Sequence, residues 1–151
     1  MDGSFQHLGD LSLLDNKPIA FFCSTRCPGD VVLAAYAWAR EQCDLGSTII
    51  SGFHTPLEKD VYAILARRGA RLIHCPARTL PKRLNAEQQQ LIAENRLLIL
   101  SPFNNTRSTR EISLQRNRFV ASHAVNRLGY IHSESSLQND PITSTLTPLL
   151  P

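Results

Sequence analysis

Four short apolar runs constrain this chain more than anything else in it. They are PIAFFC at residues 18–23, TIIS at 48–51, RLIH at 71–74 and LLIL at 97–100. Each is about the length of a strand and far too short to be a membrane helix. The longest runs show no polar alternation, which is the pattern of a strand covered on both faces. Between the runs lie segments whose apolar residues recur at helical spacing. Strands that alternate with helices build a parallel sheet with crossover connections.

The helical segments carry their own punctuation. In residues 31–43 the positions Val31, Ala34, Ala35, Trp38 and Ala39 repeat at helical spacing, with Asp30 placed to cap the start and Gly46 just past the end. Thr55, Pro56 and Glu58 supply a cap, a first-turn proline and a capping-box acid, and Gly69 closes that helix. Residues 85–95 form a third helix with Gln88 in the box position. Ser108-Thr109-Arg110-Glu111 reads as another capping box. It opens the longest helix, reaching about residue 127, with Ile112, Phe119, Val120 and Ala124 toward the core. A fifth strand is expected at 130–132. The predicted fold class is therefore α/β, a three-layer Rossmann-like sandwich with a mostly parallel sheet of about five strands.

At 151 residues the chain fits one domain. The expected division is an extension at 1–17, the folded domain at 18–134 and a polar tail at 135–151. The tail is rich in Ser, Thr and Pro, and is expected to be loosely ordered or to make a contact between chains. With 42% hydrophobic residues the chain can bury a core without disulfides or metal. No leader is expected from the first ten residues, and no apolar stretch approaches a membrane span. The four cysteines, Cys23, Cys27, Cys43 and Cys75, are read as reduced thiols of a cytoplasmic protein.

The net charge of +3 is mild, but its distribution is not. Residues 67–83 hold six basic side chains and no acid, and residues 107–127 hold five arginines against Glu111. Such clustering fits either a solvated face or an anionic partner. In an open parallel sheet, ligands sit at the carboxyl ends of the strands. Residues 24–30, 51–55 and 101–107 fall there, each followed by a helix start that can hold phosphate. Gly52 would let backbone approach a ligand closely, while Arg26 and Arg107 would add charged contacts to phosphate.

Four segments in this order carry a family resemblance: Cys23-Ser24-Thr25-Arg26, Ser51-Gly52, Ser101-Pro102-Phe103, and Arg116-Asn117-Arg118-Phe119-Val120-Ala121. Together they resemble the DprA/Smf DNA-processing proteins, whose Rossmann-like core belongs to the wider SLOG superfamily. The most specific piece is residues 116–121, which is similar to that family's R-N-R-I-I-A helix. Arg26 would match the arginine of its G-S-R loop, with Cys23 or Ser24 in place of the glycine. Ser51 and Gly52 would open its S-G-x-A-x-G-I-D segment, with Glu58 in place of the aspartate and His54, Thr55 and Pro56 in place of small residues. The resemblance spans residues 18–134. It implies binding of single-stranded nucleic acid or a nucleotide, a role beside a recombinase, and pairing into a homodimer. The candidate phosphate-binding residues are Ser24, Arg26, Ser51, Gly52, His54, Arg107, Arg116 and Arg118. No cofactor, metal or membrane is implied.

Enzymatic readings find little in the sequence. The hydrolase branch of the superfamily (the LOG-type enzymes that cleave nucleoside monophosphates) carries a P-G-G-x-G-T-x-x-E segment that is missing here. No serine sits in a G-x-S-x-G elbow, so no catalytic residue is expected. Cys23 and Cys27 have zinc-like spacing but lack a second ligand pair, so no metal is expected.

Overall fold

The computed structural model describes residues 5–135, 138 and 140–150. Its centre is a mostly parallel sheet, seven strands wide among the described residues. The strands are β1 (Gln6–Gly9), β2 (Ile19–Cys23), β3 (Thr48–Ser51), β4 (Arg71–His74), β5 (Leu97–Ser101), β6 (Asn126–Tyr130) and β7 (Thr147–Pro148). They lie in the order β1-β5-β4-β3-β2-β6-β7, and only β1 runs antiparallel, against β5. Helices α1 (Gly29–Leu45), α2 (Pro56–Arg67), α3 (Ala86–Ala93) and α4 (Arg110–Ser122) make the crossovers. The chain winds outward from β2 to β5, then α4 carries it back to β6 on the other side of β2. That reversal opens a crevice at the carboxyl ends of β2 and β6, where ligands of such sheets collect.

The strands sort their side chains by strict alternation. Phe21, Cys23, Ile49, Leu72, Leu97 and Ile99 face one core, which α1, α2 and α3 cover. Ala20, Phe22, Ile50, Ile73, Leu98 and Leu100 face the other. That second face is covered by α4 together with Leu13 of a short 3-10 turn, Leu11–Asn16, and Ile142 and Leu146 near the C-terminus. One layer is thus three helices with Leu8, Leu149 and Leu150 at its margin, and the other is one helix completed by buried residues from both ends of the chain.

The expected fold class holds, with differences at the edges. Two strands lie outside residues 18–134. Residues 6–9 pair with β5, and residues 147–148 pair with β6. The described part of the tail makes contacts with the domain: Ile142 is buried, Arg118 pairs with Asp140 at 3.3 Å, and Arg127 donates to Thr145 Oγ1 at 2.9 Å.

Helix α4 ends at Ser122, short of the expected 127, and β6 occupies 126–130 where a strand was expected at 130–132. The sequence NRLGY is a poor strand former on its own. Pairing along the full length of β2 imposes the strand, and Gly129 is required there because a Cβ would fall 1.7 Å from the Phe22 carbonyl oxygen.

Two caps also differ. Asp30 lies inside the first turn of α1, where Pro28 holds the N-cap position. Thr109 caps α4 by accepting from the Ile112 N–H, so the box expected from Ser108 does not form. The boxes of Thr55/Glu58 and Asn85/Gln88 are both present.

Because Ile142 plugs the second core, Ile142→Ala should destabilise the domain by about 2 kcal/mol or more. Urea denaturation followed by circular dichroism measures this. An unchanged midpoint would mean that the tail does not seal that face.

Candidate nucleic-acid interface

The sheet's carboxyl edge carries a cavity of about 210 Å³ lined by Cys23, Ser24, Thr25, His54, Thr55, Glu58, Arg110, Ser113, Leu114, Arg116, Asn117 and Ser135. Its floor is built around one buried acid. Glu58, 5% exposed, accepts the Cys23 N–H on Oε2 at 2.9 Å. On Oε1 it accepts the His54 N–H at 2.8 Å and the Thr55 N–H at 3.2 Å. These backbone groups are the ones a phosphate would seek at the ends of β2 and β3. The chain fills that nest from within, so these three amides are not offered to an anion.

Arg116 lies across the cavity, 4% exposed. Its Nε donates to Asn117 Oδ1 at 2.8 Å and its Nη1 to the Cys75 carbonyl at 3.3 Å. Burial pulls its pKa down, opposed by the nearby Glu58 and then Cys75. The guanidinium rests directly on Gly52, where a Cβ would come within 2.3 Å of Cζ. Glycine at 52 therefore makes room for an arginine of the protein itself.

The next residue, Phe53, has φ +45°, a conformation that costs an L residue about 1–2 kcal/mol. The turn sends Phe53 into the interior and leaves His54 exposed at the cavity. Burial, then the Arg116 charge, lowers the His54 pKa.

The remaining candidates divide. Ser24 lines the cavity, but its hydroxyl is engaged: it donates to the Arg26 carbonyl at 3.0 Å and accepts the His132 N–H at 2.8 Å. Ser51 is buried and accepts the Phe53 N–H at 3.0 Å, shaping the loop without lining the cavity. Arg26 lines an adjoining hollow with His132 and is paired to Glu134 at 2.5 Å. Arg118 points to the tail through Asp140, and Arg107 stands outside the cavity on the β5–α4 loop.

Sequence reasoning passed over Arg110 and Ser113. With Leu114 and Asn117 they share one face of α4 at helical spacing, a signal present in the sequence. Arg110 also occupies the first turn of α4, where the helix dipole disfavours a cation by a few tenths of a kcal/mol or more.

Beside the cavity rises a crest of cations. The loops before α3 and α4 are tied together: the Thr79 N–H donates to Asn105 O at 2.8 Å, and Asn105 Nδ2 donates to Ala77 O at 3.3 Å. They display Arg78, Lys82, Arg83, Arg107 and Arg110, all exposed, and none forms an ion pair among the described residues. Arg110 belongs to both the crest and the cavity lining, and so joins the two.

No protein-family profile and no curated protein matches the chain. Solved structures do. DNA processing protein A (DprA) of Helicobacter pylori, described as binding single-stranded DNA, superposes with a TM-score of 0.66 at 22% identity, over 87% of this chain and 62% of that one. DprA of Streptococcus pneumoniae superposes with a TM-score of 0.66 at 16% identity, over 83% of this chain and 45% of that one. The chain has a DprA-like fold. It spans less than two thirds of either DprA chain, so the shared part is the Rossmann-like core. Among the described residues no helix is long and apolar enough to cross a membrane.

Two outcomes follow from this geometry. Gly52→Ala should displace Arg116 and cost about 2 kcal/mol or more, and an Arg116→Lys background should soften the loss because an ammonium is slimmer than a guanidinium. Equal losses in both backgrounds, measured by denaturant unfolding, would contradict the contact. The pH dependence is the second. Burial, then Arg116, brings the His74 pKa from 6.5 down to about 4. Between those values the unfolded chain binds a proton that the folded chain refuses. Stability should therefore fall as pH drops from 6.5 toward 4, by at most about 1.4 kcal/mol per unit from this residue, and stay level above 6.5. A His74→Gln variant with an unchanged slope in urea titrations across that window would refute the assignment.

Proposed function

We propose that this domain binds single-stranded nucleic acid, with DNA as the natural ligand, along the carboxyl edge of its sheet. The observation that carries the reading is the crest of Arg78, Lys82, Arg83, Arg107 and Arg110, which have no acidic partner among the described residues and adjoin a polar cleft. Unpaired cations in a row repel one another, and a phosphate backbone relieves that repulsion while releasing its own counterions. The fold shared with a protein that binds single-stranded DNA supports the same conclusion.

The roles within the site differ. The crest holds the phosphates, with arginine forks favoured for their planar fit to phosphate oxygens. Arg110 reaches from the crest into the cleft, and His54, Thr25 and Ser113 offer polar contacts there. Arg116 and Glu58 act as its frame, since the arginine's Nε and Nη1 and both oxygens of the acid are already bonded. Such contacts fix the strand's position and carry little sequence information.

Fluorescence anisotropy with a labelled oligonucleotide tests the proposal. Five phosphate contacts predict a log–log salt slope of about −3.5 for a single strand, and removing one contact should reduce it by about 0.7. Arg110→Ala and Arg83→Ala should each do so, whereas Arg118→Ala, on the tail side, should not. Binding that ignores salt, or no binding at low salt, would overturn the reading.

A further inference from the structure

A second cavity, of about 170 Å³, lies beyond the β3–α2 turn and shares no residue with the cleft. It is lined by Phe53, Lys59, Tyr62, His74, Asn85, Glu87 and Gln88. Phe53 and His54 are consecutive, so the left-handed residue at 53 parts the two sites: one ring goes into this cavity, the other to the cleft. We propose that this cavity receives one flat heterocycle of pyrimidine size with carbonyl acceptors on its edge, a thymine or uracil. The inference deepens the nucleic-acid reading by supplying a seat for a base.

Its wall is aromatic. Phe53 meets Tyr62 edge-on with ring centroids 5.1 Å apart, and His74 stands 5.8 Å from Phe53 and 6.3 Å from Tyr62. Stacking on rings of this kind is how proteins hold unpaired bases. The volume is well below the roughly 300 Å³ at which drug-sized sites begin, which suits a single ring better than a whole nucleotide. With its pKa near 4, the His74 ring is neutral at ordinary pH, so the wall carries no charge to desolvate.

The rim is where the chemistry becomes selective. Asn85 and Gln88 cap α3 reciprocally: Asn85 Oδ1 accepts the Gln88 N–H at 2.7 Å, and Gln88 Oε1 accepts the Asn85 N–H at 3.0 Å. Both amide carbonyls are therefore engaged by the backbone, and what each side chain retains for a ligand is an NH₂ donor. Lys59 adds a third donor, and Glu87 is the one carboxylate. A rim rich in N–H groups selects a ring edge rich in oxygen acceptors. Burial, then Glu87, lifts the Tyr62 pKa to about 12, so its hydroxyl also keeps its proton.

The test uses thymidine, which has the base and no phosphate, titrated into the intact protein and followed by amide chemical shifts. Saturable shifts centred on Phe53, Tyr62, His74 and Gln88 are expected. Gln88→Glu keeps the capping box but replaces the donor by a carboxylate, so it should weaken the response about tenfold while the fold is retained. Tyr62→Leu should abolish it, and Arg110→Ala should leave it unchanged. No shift with thymidine, or an undiminished response in Gln88→Glu, overturns the base seat. If labelled DNA still binds in that case with the expected salt slope, the phosphate reading stands and only the base seat fails. If thymidine binds here while DNA does not, the base seat stands and the strand reading fails.

Discussion

A carboxyl group withdrawn from water needs several kcal/mol of compensation from its surroundings. Glu58 obtains it from three backbone N–H groups on two separate strand ends, and from the field of the buried Arg116. The end of β2 and the turn after β3 are fastened to the start of α2 through this one side chain. Arg116 in turn needs the bare Gly52 beneath it and Asn117 and the Cys75 carbonyl around it. Loosening any member would leave a buried charge or dipole unsatisfied, which costs more than the bond itself contributes. The geometry of the cleft follows from that frame.

The frame also decides what the cleft can do. In many open α/β sheets the loop amides and helix starts are left vacant and collect phosphate. Here an internal acid already sits on the amides of Cys23, His54 and Thr55, so attraction for an anion falls more heavily on side chains of the neighbouring loops. Arg110 and the crest are exposed and form no ion pair among the described residues, whereas Arg26 and Arg118 face acids at 2.5 Å and 3.3 Å. A surface of mobile cations suits a long, repetitive polyanion better than a single small phosphate.

The two faces of the sheet are finished differently. Three helices close one face, with Leu8, Leu149 and Leu150 packed at its margin. The other depends on α4, Leu13 and Ile142, contributed from segments far apart in sequence. Stability of the cleft is consequently coupled to the ends of the chain, because α4 carries Arg110 and Arg116 on its way across that second face.

The four apolar runs and two capping boxes were enough to determine a parallel sheet with crossover helices, because each is a local rule of burial or hydrogen bonding that the residues obey before they meet. The segment 116–121 was marked by its resemblance to a family helix, and the structure shows Arg116 and Asn117 buried on it and bonded to each other. Tertiary structure alone decided the rest. Strand β6 exists because β2 offers a ladder to a sequence that would not extend by itself. β1 and β7 exist because exposed sheet edges recruit short, unremarkable segments. Which arginines lack an acidic partner among the described residues was equally invisible in the sequence, since Arg118 finds one in Asp140, which folds back within reach, and Arg110 does not.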